Sequence, residues 1–385
     1  MSTPSCSSKI STNPRAATYT STLSPSLLSN TILDFHTSLP IYTGPSPLIP
    51  LPKLSSSTHI KTLYLKDESQ RLTLPSFQPL GLSWAIHNGI LAELSESLPS
   101  PLSPETSLQD LATRAKEAQM KVIAASEGSL GPSVARLSKV FGVEGINTRI
   151  FIPGDAREEV GEEVRREGAE AIIVVGGIED AVREAWLHSV ATDGVMVGME
   201  EEENYEDIPR WMVEGYSTIF KELDTQLDGR IPDWVVVPVG SGGLAQTAVT
   251  HYKAPRLAES KKTTRVLTVE PSAAAALYTS LQRGEITTVD LRETIFKEMG
   301  GNGYVARAAW DILKDGLDGS VVVEDEDVTR AKASLRGDGV EAGLCAAAVL
   351  AGFQSVLTDE ERRKELALDE DSVVVLIGTE SLVET

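Results

Sequence analysis

Cysteine is nearly absent: Cys6 and Cys345 are the two in 385 residues. They sit at opposite ends with no metal-ligand spacing, which excludes a disulfide framework. They read as inert thiols in a reducing compartment, the cytoplasm. The five histidines (His36, His59, His87, His188 and His251) are dispersed, with no paired spacing, so no metal site is expected among them. The longest uninterrupted apolar run, Cys345 to Phe353, is far short of the roughly 20 residues that cross a bilayer, so no membrane partner is expected. Bases are outnumbered 35 to 56, a formal charge of −21. Phosphate backbones repel such a chain, which argues against nucleic acid as a partner and leaves a small molecule. There is no Gly-x-Ser-x-Gly elbow, hence no sign of a serine hydrolase. No repeat at a solenoid period is present either.

Residues 1–33 are rich in Ser, Thr and Pro, carry Lys9 and Arg15, and contain no acid. Such a stretch buries little apolar surface and is expected to be a flexible extension. Its composition also admits a weak organelle-targeting leader, for which two basic residues are few. From about Asp34 the pattern is alternating α/β. β-branched runs recur at 62–65, 121–124, 148–152, 171–175, 195–198, 234–239, 266–269, 320–323 and 373–377, and most are separated by segments with helical spacing. This predicts right-handed βαβ units on parallel sheets, with ligands at the C-terminal ends of strands. The expected division is a large α/β domain from 34–85 plus 200–385 and a small α/β domain from 86–199. The acidic run Glu200 to Asp207 reads as a solvated face rather than a cation site, because contiguous carboxylates rarely converge on one ion. Trp211, Tyr216 and Phe220 share a helical spacing and read as core or dimer contact.

Four turns after strands could carry chemistry. Lys66-Asp67-Glu68-Ser69 leads to Ser76-Phe77-Gln78-Pro79, where Ser76 is a plausible N-cap and Pro79 fits a first helical turn. Ser126-Glu127-Gly128-Ser129-Leu130-Gly131 has two glycines and a helix start, which could hold a carboxylate or could be an ordinary βα turn. Gly240-Ser241-Gly242-Gly243 has the chemistry of an anion cradle. With Ala245 and Glu270 it also matches a dinucleotide fingerprint. The last, Gly378-Thr379-Glu380-Ser381, follows the final strand.

In this order the four turns resemble fold-type II pyridoxal-phosphate enzymes, the tryptophan synthase β-like superfamily, and most closely diaminopropionate ammonia-lyase. The likeness runs through Phe35-His36, Pro47-Leu48, Lys66-Asp67-Glu68-Ser69, Phe77, Glu206 to Trp211, Gly215-Tyr216, Val269-Glu270-Pro271 and Thr379-Glu380. It implies a two-lobed α/β fold with parallel sheets flanked by helices, and a homodimer. It also implies a phosphate cradle at Gly240 to Gly243 and a polar residue near the pyridine nitrogen at Thr379. The sequence departs where the family has its cofactor lysine: here the residue after Phe77 is Gln78. The family's Asp-Gly-Asn-His-Gly is here Glu127 to Gly131, so Ser129 and Leu130 replace the asparagine and histidine.

A carboxamide neither titrates near neutrality nor condenses readily with an aldehyde. The expectation is therefore a diverged relative with no required cofactor: a lyase, isomerase or cyclase of secondary metabolism acting on a carboxylate-bearing small molecule. Glu127 would be the acid or base, Gln78, Ser129 and Lys66 would assist, and Ser126, Gly128, Leu130, Gly131 and Asp67 would bind substrate. Two alternatives stand beside it. One is a non-catalytic, ligand-binding or regulatory protein. The other is a pyridoxal-phosphate enzyme that holds its cofactor without a covalent bond or through another lysine, Lys66 or Lys297. A nicotinamide oxidoreductase built on Gly240 to Ala245 and Glu270 is weaker, for lack of a hydride-transfer set.

Overall fold

The computed structural model describes residues 9–22, 27, 29–96, 100–103, 106–198, 206–255, 263–296 and 303–380. It contains two sheets. The strands are β1 (Lys9–Thr12), β2 (Leu48–Pro50), β3 (Thr62–Asp67), β4 (Val122–Ala125), β5 (Gly145–Pro153), β6 (Ala169–Val174), β7 (Val195–Met196), β8 (Trp234–Pro238), β9 (Arg265–Pro271), β10 (Gly319–Val323) and β11 (Val373–Gly378). The larger sheet has the order β1-β10-β9-β8-β11-β3-β2, and the smaller has β6-β5-β4-β7. Strands β10, β9, β8, β11 and β3 run parallel, and antiparallel β1 and β2 close the edges. All four strands of the smaller sheet are parallel. The α/β architecture and each of the nine strands expected from β-branched runs are present.

Burial on both faces explains the continuous apolar runs. In β8, Trp234 and Val236 pack into one core with the Leu344–Thr358 helix, while Val235 and Val237 face the opposite core with the Ser217–Gln226 and Gly243–Tyr252 helices. Strand β11 alternates in the same way, with Val374 and Leu376 on one side and Val375 and Ile377 on the other.

Residues 9–22 correct one expectation. Instead of belonging to a free extension, Lys9–Thr12 adds an edge strand to β10 in register Lys9 with Val322, and Ser21 hydroxyl donates to the carbonyl of Thr250 at 2.7 Å. A polar strand with a single large apolar residue, Ile10, is recognisable only by the ladder it completes. Residues 1–8 lie outside the described residues.

The Gln78–Glu96 helix joins the two lobes. Leu80 belongs to the large core, whereas Leu82 to Leu94 pack in the core of the small sheet. The lobes therefore meet near residue 81, inside this helix. There it crosses the Asp207–Gly215 helix at van der Waals distance: a Cβ on Gly81 would lie 2.6 Å from the Met212 carbonyl oxygen, and one on Gly215 would lie 2.5 Å from that of Leu80. His36 buttresses this crossing. It is fully buried, with Nδ1 2.7 Å from Thr218 Oγ1 and Nε2 2.9 Å from the Leu80 carbonyl oxygen. Burial pushes its pKa down to about 3, so the ring is neutral. Tyr216 and Phe220 lie in the large core, and Trp211 packs against the small one.

Candidate functional site

The parallel strands deliver their C-terminal ends to one edge. There β11 hands over to Thr379, whose carbonyl accepts the Phe77 N–H at 3.3 Å, and Gly378 accepts the Glu68 N–H at 2.7 Å. Ser76 bridges to Glu380, and the Gln78 N–H donates to Ser76 Oγ at 3.3 Å, which starts the helix. Gln78 is half-buried, and its carboxamide makes no hydrogen bond to any described residue, so it is available to a ligand. The Phe77 ring packs 4.8 Å from Tyr216. Glu380 Oε1 accepts the Cys345 N–H at 3.2 Å, so this carboxylate caps the Leu344–Thr358 helix. Asp67 is half-buried and turns its Oδ1 back to the Ser69 N–H at 3.0 Å.

Gly240 to Gly243 follow β8, the neighbour of β11. Gly242 sits at φ +104°, and a Cβ there would stand 2.9 Å from Ala309, so both conformation and space demand glycine. The Ala306 N–H donates to the Ser241 carbonyl at 2.9 Å and fixes the turn. The first helical bond runs from the Gln246 N–H to the Gly242 carbonyl at 2.8 Å. The N–H groups of Ser241, Gly242, Gly243 and Leu244 find no acceptor among the described residues. Four convergent donors at a helix N-terminus match a phosphate or carboxylate. Thr247 hydroxyl, one turn later, donates to the Val213 carbonyl at 2.8 Å and ties this helix to the one that crosses Gly81.

The second turn is partly self-satisfied. Buried Ser126 Oγ accepts the N–H groups of Gly128 at 3.2 Å and Gly131 at 2.9 Å and donates to the Gly128 carbonyl at 3.0 Å. Those two donors, expected to hold a substrate carboxylate, are therefore already engaged. Gly131 is required by space, since a Cβ would meet Ile150 at 2.9 Å, whereas Gly128 has open space around it. Glu127 and Ser129 are exposed, and Leu130 is half-buried. Glu127 therefore faces water, not the closed cleft a tuned acid or base needs. Arg136, on the helix that begins at Leu130, donates to the Thr73 carbonyl at 2.9 Å and ties this lobe to the segment before Gln78.

Lys66 does not reach the edge as a free amine. It is fully buried and donates to the Ser46 carbonyl at 2.9 Å, Glu222 Oε2 at 3.1 Å and Gln226 Oε1 at 2.8 Å. Burial lowers its pKa, and Glu68 and Glu222 partly offset that. Arg71 completes the cluster, with Nε 2.5 Å from Glu68 Oε2 and Nη1 2.8 Å from Glu222 Oε1. These charges fix the β3 turn from inside. Arg71 and Glu222 carry no sequence signal for this role, being 151 positions apart. The substitute amine Lys297 lies outside the described residues.

Glu270 is likewise committed. Its two oxygens accept the N–H groups of Leu277 at 2.8 Å and Tyr278 at 2.7 Å, so it holds the start of the Ala276–Arg283 helix rather than offering itself to a ribose. Burial raises its pKa to about 8. The dinucleotide reading loses its acid. Among the described residues no group of three or more His, Cys, Asp or Glu could hold a metal, and no helix is long and apolar enough to cross a membrane. Most of the acidic run Glu200 to Asp207 lies outside the described residues.

The chain matches the pyridoxal-phosphate dependent enzyme family over residues 40–380. It is 25% identical over 367 residues to the diaminopropionate ammonia-lyase of Salmonella typhimurium, covering 91% of this chain and 88% of the relative. It is 31% identical over 253 residues to a biosynthetic L-threonine dehydratase of Mycobacterium bovis, covering 65% of this chain and 49% of that one. The crystal structure of diaminopropionate ammonia lyase from Escherichia coli in complex with D-serine superposes with a TM-score of 0.78 at 25% identity, over 97% of this chain and 94% of the other. A holo form of the same Escherichia coli protein superposes with a TM-score of 0.79 at 26% identity, over 97% and 93%. With the strand-end edge and its glycine cradle, the match over nearly the whole length shows that the chain belongs to the family of pyridoxal-phosphate dependent enzymes.

Proposed function

We propose that this chain is a lyase-like member of the family that grips pyridoxal phosphate by its phosphate alone, with no covalent bond at Gln78, and acts on a carboxylate-bearing small molecule. The open N–H groups of Ser241 to Leu244 carry this reading, because four successive donors at a helix start find no acceptor among the described residues. When bound, the cofactor supplies an electron sink for a carbanion. The chain's own residues bind and orient. Gln78 donates and accepts hydrogen bonds toward the ligand and holds no titrating proton. Glu127 and Ser129 stand exposed on the turn after β4, so proton transfer is not assigned to them. The inertness of Gln78 favours a second reading, cofactor-independent isomerisation, elimination or cyclisation. Family membership and the open cradle weigh against the expectation that no cofactor is needed.

The test is a titration of the full chain with pyridoxal phosphate, followed by borohydride reduction and mass spectrometry. Saturable binding without a reduced lysine adduct is the expected result. Gly242→Ala should weaken binding at least tenfold, since it forces alanine to a left-handed φ. Gln78→Lys should create an adduct at residue 78. An adduct on Lys66 or Lys297 in the native chain would establish attachment through another lysine. No binding at all would leave the cofactor-independent reading.

A further inference from the structure

A second concave site of about 330 Å3 lies further along the strand-end edge, at the C-terminal ends of β9 and β10, between β1, the loop after β9 and the Ala276–Arg283 helix, and shares no lining residue with the Gly240 to Gly243 turn. Lys9, Arg283 and Arg292 line it against one carboxylate, Asp290. Acids outnumber bases 56 to 35 in this chain, yet none of the three cations has a carboxylate partner among the described residues. Arg292 is anchored rather than neutralised: its guanidinium donates to the Ser272 carbonyl, and its N–H donates to the Ala273 carbonyl at 3.1 Å. The neighbouring polar groups are occupied. Ser272 hydroxyl donates to Glu324, and the Gln282 amide donates to Ser11 Oγ at 2.9 Å. What the hollow offers is therefore positive charge, two guanidinium forks and an ammonium, beside the half-buried Tyr278.

Like charges gathered in a hollow repel one another until an anion joins them. A single anionic group meets only part of this set, whereas two phosphate groups can engage both forks and the ammonium. A volume of about 330 Å3 is at the small end for ligand sites, which suits a compact metabolite. We propose that this pocket binds a small bisphosphate-class anion, separately from the Gly240 to Gly243 cradle. The two sites share a support: the Val289 N–H, on the pocket wall, donates to the Gly303 carbonyl at 2.7 Å, and three residues later Ala306 holds Ser241.

The experiment is calorimetric titration of the full chain with inorganic pyrophosphate and with fructose 1,6-bisphosphate. Saturable binding is expected in the native chain and in Gly242→Ala, weakened roughly tenfold by Arg283→Gln, the loss of one charge-assisted contact. The pair Lys9→Gln/Arg283→Gln should lose roughly a hundredfold. Arg283→Lys keeps the charge and should retain most of the affinity, and unchanged urea midpoints report intact folding. Tighter sugar bisphosphate would assign a sugar-phosphate ligand, and tighter pyrophosphate an inorganic one. Absence of saturable binding, equal affinity in the double variant, or binding lost only in Gly242→Ala would each overturn the assignment.

Discussion

Removing one charge from the buried cluster behind β3 tests how the site's floor is held. Glu222 is nearly inaccessible and receives Arg71 Nη1 at 2.8 Å, Arg71 Nη2 at 2.5 Å, Lys66 Nζ at 3.1 Å, the Tyr42 hydroxyl at 3.0 Å and the Ser46 N–H at 3.2 Å. With Glu68 it balances two cations. Glu222→Gln keeps the shape but leaves one buried positive charge uncompensated, and it turns an NH2 group toward other donors. Breaking a buried pair from one side costs about 3–5 kcal/mol. Urea unfolding followed by tryptophan fluorescence should register that loss. Lys66→Met alone leaves an excess negative charge and should also cost. The double variant restores neutrality, so its cost should fall below the sum of the single costs by about 2 kcal/mol. Burial pushes the Glu222 carboxyl up, but hydrogen bonds and charge from Arg71, then Lys66, hold it below the ordinary 4.5. Its stabilisation is thus present above pH 4.5 and lost as pH falls through the lower folded value, so native and variant should converge in acid. A cost for Glu222→Gln below about 1 kcal/mol, or additive costs in the double variant, would show that the cluster does not act as a balanced unit.

Two further outcomes follow from groups the sequence singled out. Glu270 has its pKa raised by burial from 4.5 to about 8. Between those values the folded state holds a proton the unfolded state has released, so native stability falls as pH rises. Glu270→Gln does not titrate, and its stability relative to the native chain should improve steadily across that window; a flat difference would refute the assignment. Ser126→Ala strips the acceptor from the Gly128 and Gly131 N–H groups. It should cost about 1–3 kcal/mol and speed amide exchange at residues 126–131, and unchanged exchange would show that the hydroxyl does not organise the turn.

The sequence by itself determined the strands that are apolar on both faces, because β-branched residues in continuous runs have no other economical burial. It also determined the glycine cradle, since Gly242 at a left-handed φ leaves a local signature, and the amide at Gln78, which is simply read. Tertiary structure decided what depends on distant partners. Lys66 reads as a candidate amine until Ser46, Glu222 and Gln226 close around it. Glu270 reads as a ribose acid until the Ala276–Arg283 helix starts on it. Glu127 reads as the acid or base until the turn leaves it in water. Lys9–Thr12 reads as an extension until β10 pairs with it. Periodicity records which side of an element is apolar, but it does not record which charge, carbonyl or strand edge a far-off segment will bring to it.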